Sequence, residues 1–283
     1  MIRKRSPILL LIGLFSCQSD PYQVDVDNVK LSVQYNNLDS AFRYAHDNQR
    51  LRQIKALLQT DFDLSQFSFP YALQVSTQTD TAFLNGLKRL YAHPFNIQVS
   101  QALDKQEKWR LQTFREIEAG LKRLHFLAPK APIAKHIYFS YTQFAASAYA
   151  SKKGIVLGQE RYLGATHPVI SALPPQQFYE WIKEGMAPQY LERDAVIGWL
   201  STHHIEETKE NYATEMIRWG KLLFITSACL PQEKESIILR YSPKDYDWAL
   251  ASEGALWKYI VDEQLLYNTG EDAKQSLLHE GPF

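Results

Sequence analysis

Between Ala134 and Tyr162 the periodicity of this chain changes, and that change limits its architecture more than any other feature. Two runs there, AKHIYFSY (134–141) and GIVLGQERY (154–162), are rich in β-branched and aromatic residues, the composition of strands. The stretch between them, AASAYASKK, holds small and basic residues that suit a short strand or a turn. Elsewhere apolar positions mostly recur near every 3.6 residues, the helical period. Near the start, KLSVQY (30–35) alternates and predicts a strand. Residues 38–58 predict a helix on Leu38, Phe42, Ala45, Leu51, Ile54 and Leu58, and a turn follows around Pro70. Helices are predicted over 79–91 and 99–126, the second with the stripe Trp109, Phe114, Ile117, Leu121 and Leu124. After Pro174 and Pro175 come helices over 176–186, 189–201 and 211–230. A fourth starts at Ser242-Pro243-Lys244-Asp245, where Ser242 caps free amides, Pro243 suits the first turn and Asp245 completes a capping box. Helices before and after a few central strands predict a single helix-rich α+β domain with a small mixed β-sheet in the middle of the chain.

The first residues do not belong to that fold. MIRKRSPILLLIGLFSCQSD (1–20) places Arg3, Lys4 and Arg5 before an apolar run from Pro7 to Phe15. The run is shorter than the ~18 apolar residues a membrane span needs, so the segment has the form of a signal peptide. Its end, Leu14-Phe15-Ser16-Cys17, resembles the lipobox of bacterial lipoproteins, with cleavage after residue 16 and acylation of Cys17. The alternative is an ordinary signal peptide with an incidental cysteine. Residues 17–28, with the polar, proline-containing DPYQVDVD, are then a lipidated tether, and 29–283 the folded domain. Removing residues 1–16 takes three of the 31 basic residues, leaving 28 against 31 acids, a formal charge near −3. A net acidic chain argues against nucleic acid as a partner. With Cys17 acylated, Cys229 has no disulfide partner and is expected to be a small buried side chain.

The stretch HHIEE (203–207) has the look of a metal site. A zincin helix spaces two histidines four apart with a glutamate beside the first, H-E-x-x-H, so that both imidazoles share one face. None of the eight histidines stand four apart. His203, His204 and Glu207 lie within a turn of one another, yet a third ligand at helical spacing for a catalytic zinc is missing. The favoured reading is a polar junction between the helices expected at 189–201 and 211–230, with His203, His204 and Glu207 as the weaker metal alternative. No G-x-S-x-G elbow, Walker A loop or G-x-G-x-x-G turn occurs either. Glu253 lies on the stripe Tyr246, Leu250, Glu253, Trp257 and Ile260, which is expected to face the core. A carboxylate buried there needs a partner, with Arg193, Arg218 and Arg240 as candidates, and forms either an ion pair that fixes packing or a perturbed acid. The aromatic content alone would allow a glycan or peptide binder. All six tryptophans fall on predicted helices, which is what core packing looks like.

An ordered set of segments resembles the gliding-motility lipoprotein family GldB. It begins with the lipobox and VKLSVQYNNLDSAF, and continues through Glu160-Arg161-Tyr162-Leu163-Gly164 with His167 after it. Arg193-Asp194-Ala195-Val196 and Met216-Ile217-Arg218-Trp219-Gly220-Lys221-Leu222-Leu223 follow. The set ends with Tyr241-Ser242-Pro243, Trp248, Glu253, Trp257-Lys258-Tyr259, Leu266-Tyr267 and Gly281-Pro282-Phe283. Two departures stand out. Thr166 replaces an acid common before the histidine. The family also continues with a helical stretch beyond Pro-Phe, so a domain truncated at its C-terminus is expected. The resemblance implies a noncatalytic lipoprotein of the cell envelope, anchored by its N-terminal lipid and facing the periplasm. It would support gliding and the machinery that moves and exports adhesins through contacts with envelope proteins. The resemblance brings no catalytic residue, cofactor or small-molecule substrate. The family is also distantly similar to zincin-like peptidases. The helix over 189–201 lacks their histidine pair, and Trp219 precedes Gly220 where a glutamate ligand would stand. The alternative is therefore a metal-dependent hydrolase with a degenerate site. Within the resemblance the matched residues of interest are Tyr162, Leu163, Gly164, Asp194, Gly220, Lys221, Trp248, Glu253 and Trp257, with Cys17 as the lipid attachment.

Overall fold

A computed structural model describes residues 24–45, 51–56, 61, 63–64, 67–205 and 211–269. The expected leader, Cys17, Glu207 and the segment 281–283 lie outside the described residues. Strand β1 (Gln34–Asn37) runs directly into α1 (Leu38–Arg43), where the Asn37 side chain accepts the Ser40 amide at 3.1 Å and caps the helix. Residues 51–56 are also helical, and Phe67–Leu73 forms a π-helical turn. Then come α2 (Asp80–Ala92), α3 (Pro94–Asp104) and α4 (Glu107–Leu127). The sheet continues with β2 (His136–Ser140), β3 (Ala148–Ala150) and β4 (Gly154–Gly158). A 3₁₀ turn (Gln159–Tyr162) leads to the short helices α5 (Pro168–Ser171) and α6 (Glu180–Glu184). The last part is helical: α7 (Leu191–His203), α8 (Tyr212–Cys229), α9 (Glu235–Leu239), α10 (Pro243–Asp262) and a 3₁₀ turn (Leu265–Tyr267).

The four strands make one mixed sheet in the order β1-β2-β4-β3. β1 and β4 flank β2 in parallel, with Gln34 opposite His136 and His136 opposite Gly154, and β3 pairs antiparallel with β4. Strands covered on both faces carry continuous apolar runs, because alternate side chains enter two different cores. On β2 and β4, Tyr138 and Val156 join a core built with α1, α2 and α3. Ile137, Phe139, Ile155 and Leu157 join a second core with α4, α7 and α8. The molecule is thus layered helix, sheet, helix, a helix-rich α+β fold with a small mixed sheet, as its periodicity predicts.

Several boundaries need correction: the strand predicted over 30–35 forms at Gln34–Asn37, and the helix predicted over 38–58 stops at Arg43, with 51–56 helical again. The helix predicted over 99–126 is two helices, α3 and α4, broken at Lys105 and Gln106. The buried Arg110 guanidinium donates to the Leu103 carbonyl at 2.6 Å, the same oxygen that accepts the Gln106 amide at 3.0 Å, and so holds the start of α4 against the end of α3. The strand predicted over 154–162 stops at Gly158 and tightens into the 3₁₀ turn. A Cβ at Gly158 would lie 2.0 Å from the Ala146 carbonyl, so only glycine lets these segments approach. The helix predicted over 176–186 is confined to Glu180–Glu184. By contrast, the local signals at Ser242 hold: its hydroxyl accepts the Asp245 amide at 3.2 Å and donates to the Asp245 carboxylate at 2.6 Å.

Candidate functional site

The motif residues Tyr162 and Asp194 meet inside the protein. Tyr162 leaves the sheet through the 3₁₀ turn after β4, and Asp194 stands in the first turn of α7. The Tyr162 hydroxyl donates to Asp194 Oδ2 at 2.9 Å. Arg193 Nη1 donates to Oδ1 at 2.7 Å, and Arg240 Nη1 reaches both oxygens at 2.9 and 3.0 Å. The two arginines also bind main chain: Arg193 Nε donates to the Ile238 carbonyl and Arg240 Nη2 to that of Gly185, each at 2.8 Å. Arg240 follows α9 in the left-handed region (φ 60°) and lies over the Tyr190 ring. One carboxylate therefore ties the exit of β4, the start of α7 and the end of α9 together, and Arg240 extends the tie to the loop after α6. Burial and the neighbouring Asp194 push the Tyr162 phenol well above its ordinary range, so it stays a donor. Such a closed set of charges is built to hold segments in place. Leu163 and Gly164 complete the turn. Leu163 packs against the first core, and Gly164, at φ 98°, donates its amide to Met186.

A second buried carboxylate, Glu160, orders the connection from β2 to β3. Its Oε1 accepts the amides of Thr142 and Phe144 at 3.0 and 2.8 Å and the Thr142 hydroxyl at 2.6 Å. Among the described residues Oε2 has no hydrogen-bond partner. Burial raises the carboxyl to about 7 against three donors that favour the ionised form. Glu160 belongs to the matched segment, yet its part was missed. The signal was a charged residue placed two positions after the apolar strand GIVLG, behind Gln159.

The remaining matched residues lie on the surface. Gly220 and Lys221 are exposed on α8, and Trp248, Glu253 and Trp257 are exposed on α10. The expected core-facing stripe of α10 is overturned: Leu250 is 61% exposed and Trp257 47%, and only Ile260 is buried. The principal packing partner of α10 among the described residues is the 3₁₀ turn that follows it. Glu253 is consequently not the buried carboxylate that the stripe implied. The three arginines considered for it serve others: Arg193 and Arg240 hold Asp194, and Arg218 pairs with Glu215 at 2.6 Å. All six tryptophans do sit on helices, but only Trp199 is fully buried.

His203 ends α7 and His204 is its C-cap. Each Nε2 lies 2.9 Å from a main-chain carbonyl, of Ser151 and Pro132 respectively, so each ring has the geometry of an N–H donor. His203 also packs on Trp199 with ring centroids 3.9 Å apart. Among the described residues no three His, Cys, Asp or Glu side chains gather as a metal site. Cys229 is buried and unbridged, its thiol pushed up to about 12 by burial. No described helix is long and apolar enough to cross a membrane.

No curated protein and no solved structure matches the chain. The family model described as gliding motility protein GldB matches residues 19–283, a span that contains the Asp194 tie, the Glu160 loop and the exposed residues of α8 and α10. The chain belongs to the gliding motility protein GldB family.

Proposed function

We propose that this protein is a noncatalytic, lipid-anchored component of the cell envelope. It supports gliding motility, and the adhesin-moving and secretion machinery linked to it, through contacts with envelope proteins. The observation that carries this reading is the division of the matched residues. Tyr162 and Asp194 are spent on an internal tie, whereas Lys221, Trp248, Glu253 and Trp257 are presented outward. Large aromatic side chains left exposed on opposite faces of α10 favour contacts of this helix with partners, since such side chains supply much of the binding energy of protein interfaces. Cys17 supplies the anchor in this reading, and the domain faces the periplasm.

The test is carried out in cells. Trp248→Ala together with Trp257→Ala, in the intact lipoprotein, is expected to abolish gliding and the capture of envelope partners while protein level and melting temperature hold. Wild-type gliding by that variant would refute the contact surface. Cys17→Ala is expected to move the protein into the soluble fraction. Stoichiometric zinc in the purified domain, lost in His203→Ala with His204→Ala, would replace the noncatalytic reading by the metal-dependent hydrolase.

A further inference from the structure

A cavity of about 580 Å³ opens between α2, the start of α3, the β2–β3 connection and the chain after α5. Its size is that of a small-molecule site. Backbone strain gathers around it. Among the described residues five non-glycine positions have positive φ, and three of them, Gln74 (53°), Gln143 (52°) and Phe144 (64°), line this one cavity. Such conformations persist only where the surroundings enforce them, and they cluster at functional sites. Here the enforcement is visible. Glu160 grips the Phe144 amide, Arg161 Nη1 binds the Phe144 carbonyl at 2.7 Å, and Gln143 Nε2 donates to the Ala72 carbonyl at 2.9 Å. The Tyr141 hydroxyl ties the same connection to Asn96 of α3 at 2.8 Å. The wall is thus rigid before any ligand arrives, which lowers the entropic cost of binding.

The lining has two chemistries. Phe95, Phe144 and Phe178 form an apolar part, with ring centroids 6.2 and 6.0 Å apart along the series. The polar part holds Arg89, His93 and side-chain amides, and among the described residues no carboxylate lines the cavity. Arg89 is exposed on the last turn of α2 and makes no ion pair with a described residue. The first turn of α3 lines the cavity too, and its N-cap residue His93 makes no side-chain cap bond, which leaves the positive end of that helix dipole toward the same space.

We propose that this cavity binds a carboxylate carried on an apolar or aromatic body. The carboxylate pairs with Arg89 beside the amino end of α3, and the body rests on the three phenylalanine rings. A free organic acid and the carboxyl end of a peptide share this chemistry. The proposal does not depend on the α10 contact surface.

The experiment is calorimetric titration of the purified full chain with N-acetyl-phenylalanine and with its amide. Saturable binding of the acid, weaker by about tenfold or more for the amide, is expected from the loss of one charge-assisted pair. Arg89→Gln is expected to weaken the acid by a similar factor with an unchanged melting temperature. Gln177→Glu, at an exposed residue of the same cavity, is expected to weaken it as well by adding a like charge. A tetrapeptide ending in a free phenylalanine carboxylate and decanoate then separate the sources: tighter peptide binding assigns the carboxyl end of a chain, tighter decanoate binding a free acid. Equal binding of acid and amide, an Arg89→Gln variant that binds like the wild type, or no saturable binding of any probe at millimolar concentration overturns the proposal.

Discussion

Changing Glu160 to glutamine removes a titration from the interior of this protein. In the folded chain burial lifts the Glu160 carboxyl from 4.5 to about 7. Between those values the folded chain keeps a proton that the unfolded chain has released. Folding then takes up a proton, and stability falls as pH rises from below 4.5 to above 7. At about 1.4 kcal/mol per pH unit, that interval corresponds to ~3 kcal/mol lost to ionisation of this one buried group. Glutamine keeps an oxygen able to accept from Thr142 and Phe144, and places its amide nitrogen where Oε2 has no partner. The unmatched amide imposes a penalty that does not depend on pH. The signature is therefore in the difference between variant and wild type. From pH 4.5 to 7.5 that difference is expected to move in favour of Glu160→Gln by ~3 kcal/mol. Glu192, also raised to about 7 by burial, contributes equally to both proteins and cancels. Urea unfolding followed by tryptophan fluorescence at several pH values measures the difference. A constant difference across that range would refute the argument that burial outweighs the three donors.

Two further substitutions test the internal ties. Asp194→Ala leaves the buried Arg193 and the half-buried Arg240 without their shared carboxylate, and a loss of ~3–5 kcal/mol in urea unfolding is expected; Asp194→Asn, which keeps the shape and one accepting oxygen but turns an amide NH2 toward the remaining donors, should recover part of it. Gly158→Ala forces a methyl group against the Ala146 carbonyl and the Thr142 hydroxyl, at 2.0 and 2.7 Å. Because the first of these is backbone, ~1–3 kcal/mol or more should be lost, visible as a lower melting temperature.

Features that depend on neighbouring residues were legible in the chain. The Ser242-Pro243-Asp245 start of α10 is built as its sequence indicates, because a cap is closed by residues three apart. β2 and β4 were legible as apolar runs, since a strand covered on both faces has nowhere to place polar side chains. Boundaries were less so. Nothing in ALDKQEKW marks the break between α3 and α4, because the group that stabilises it, Arg110 on Leu103, is an ordinary basic residue in sequence. The α10 stripe misled for a different reason. A helical period identifies an apolar face, but the same period serves a face packed on the body and one left outside it. Tyr246, Leu250, Trp257 and Ile260 have the spacing of core residues, and only Ile260 is buried.

The sequence by itself determined the helix-rich α+β class, the central strands and the family, because these rest on periodicity, local capping and an ordered set of short segments. Tertiary structure alone decided which charges meet. Asp194 lies 46 residues from Arg240 and 32 from Tyr162, and their bond follows from how β4, α7 and α9 converge. It likewise decided that Glu160 grips a loop and that three strained residues enclose one cavity. It also left the tryptophans of α10 facing outward. The physical reason is the range of the interactions: a cap or an alternation is satisfied within a few residues, whereas a buried charge or a cavity exists only where distant segments are brought together and water is excluded.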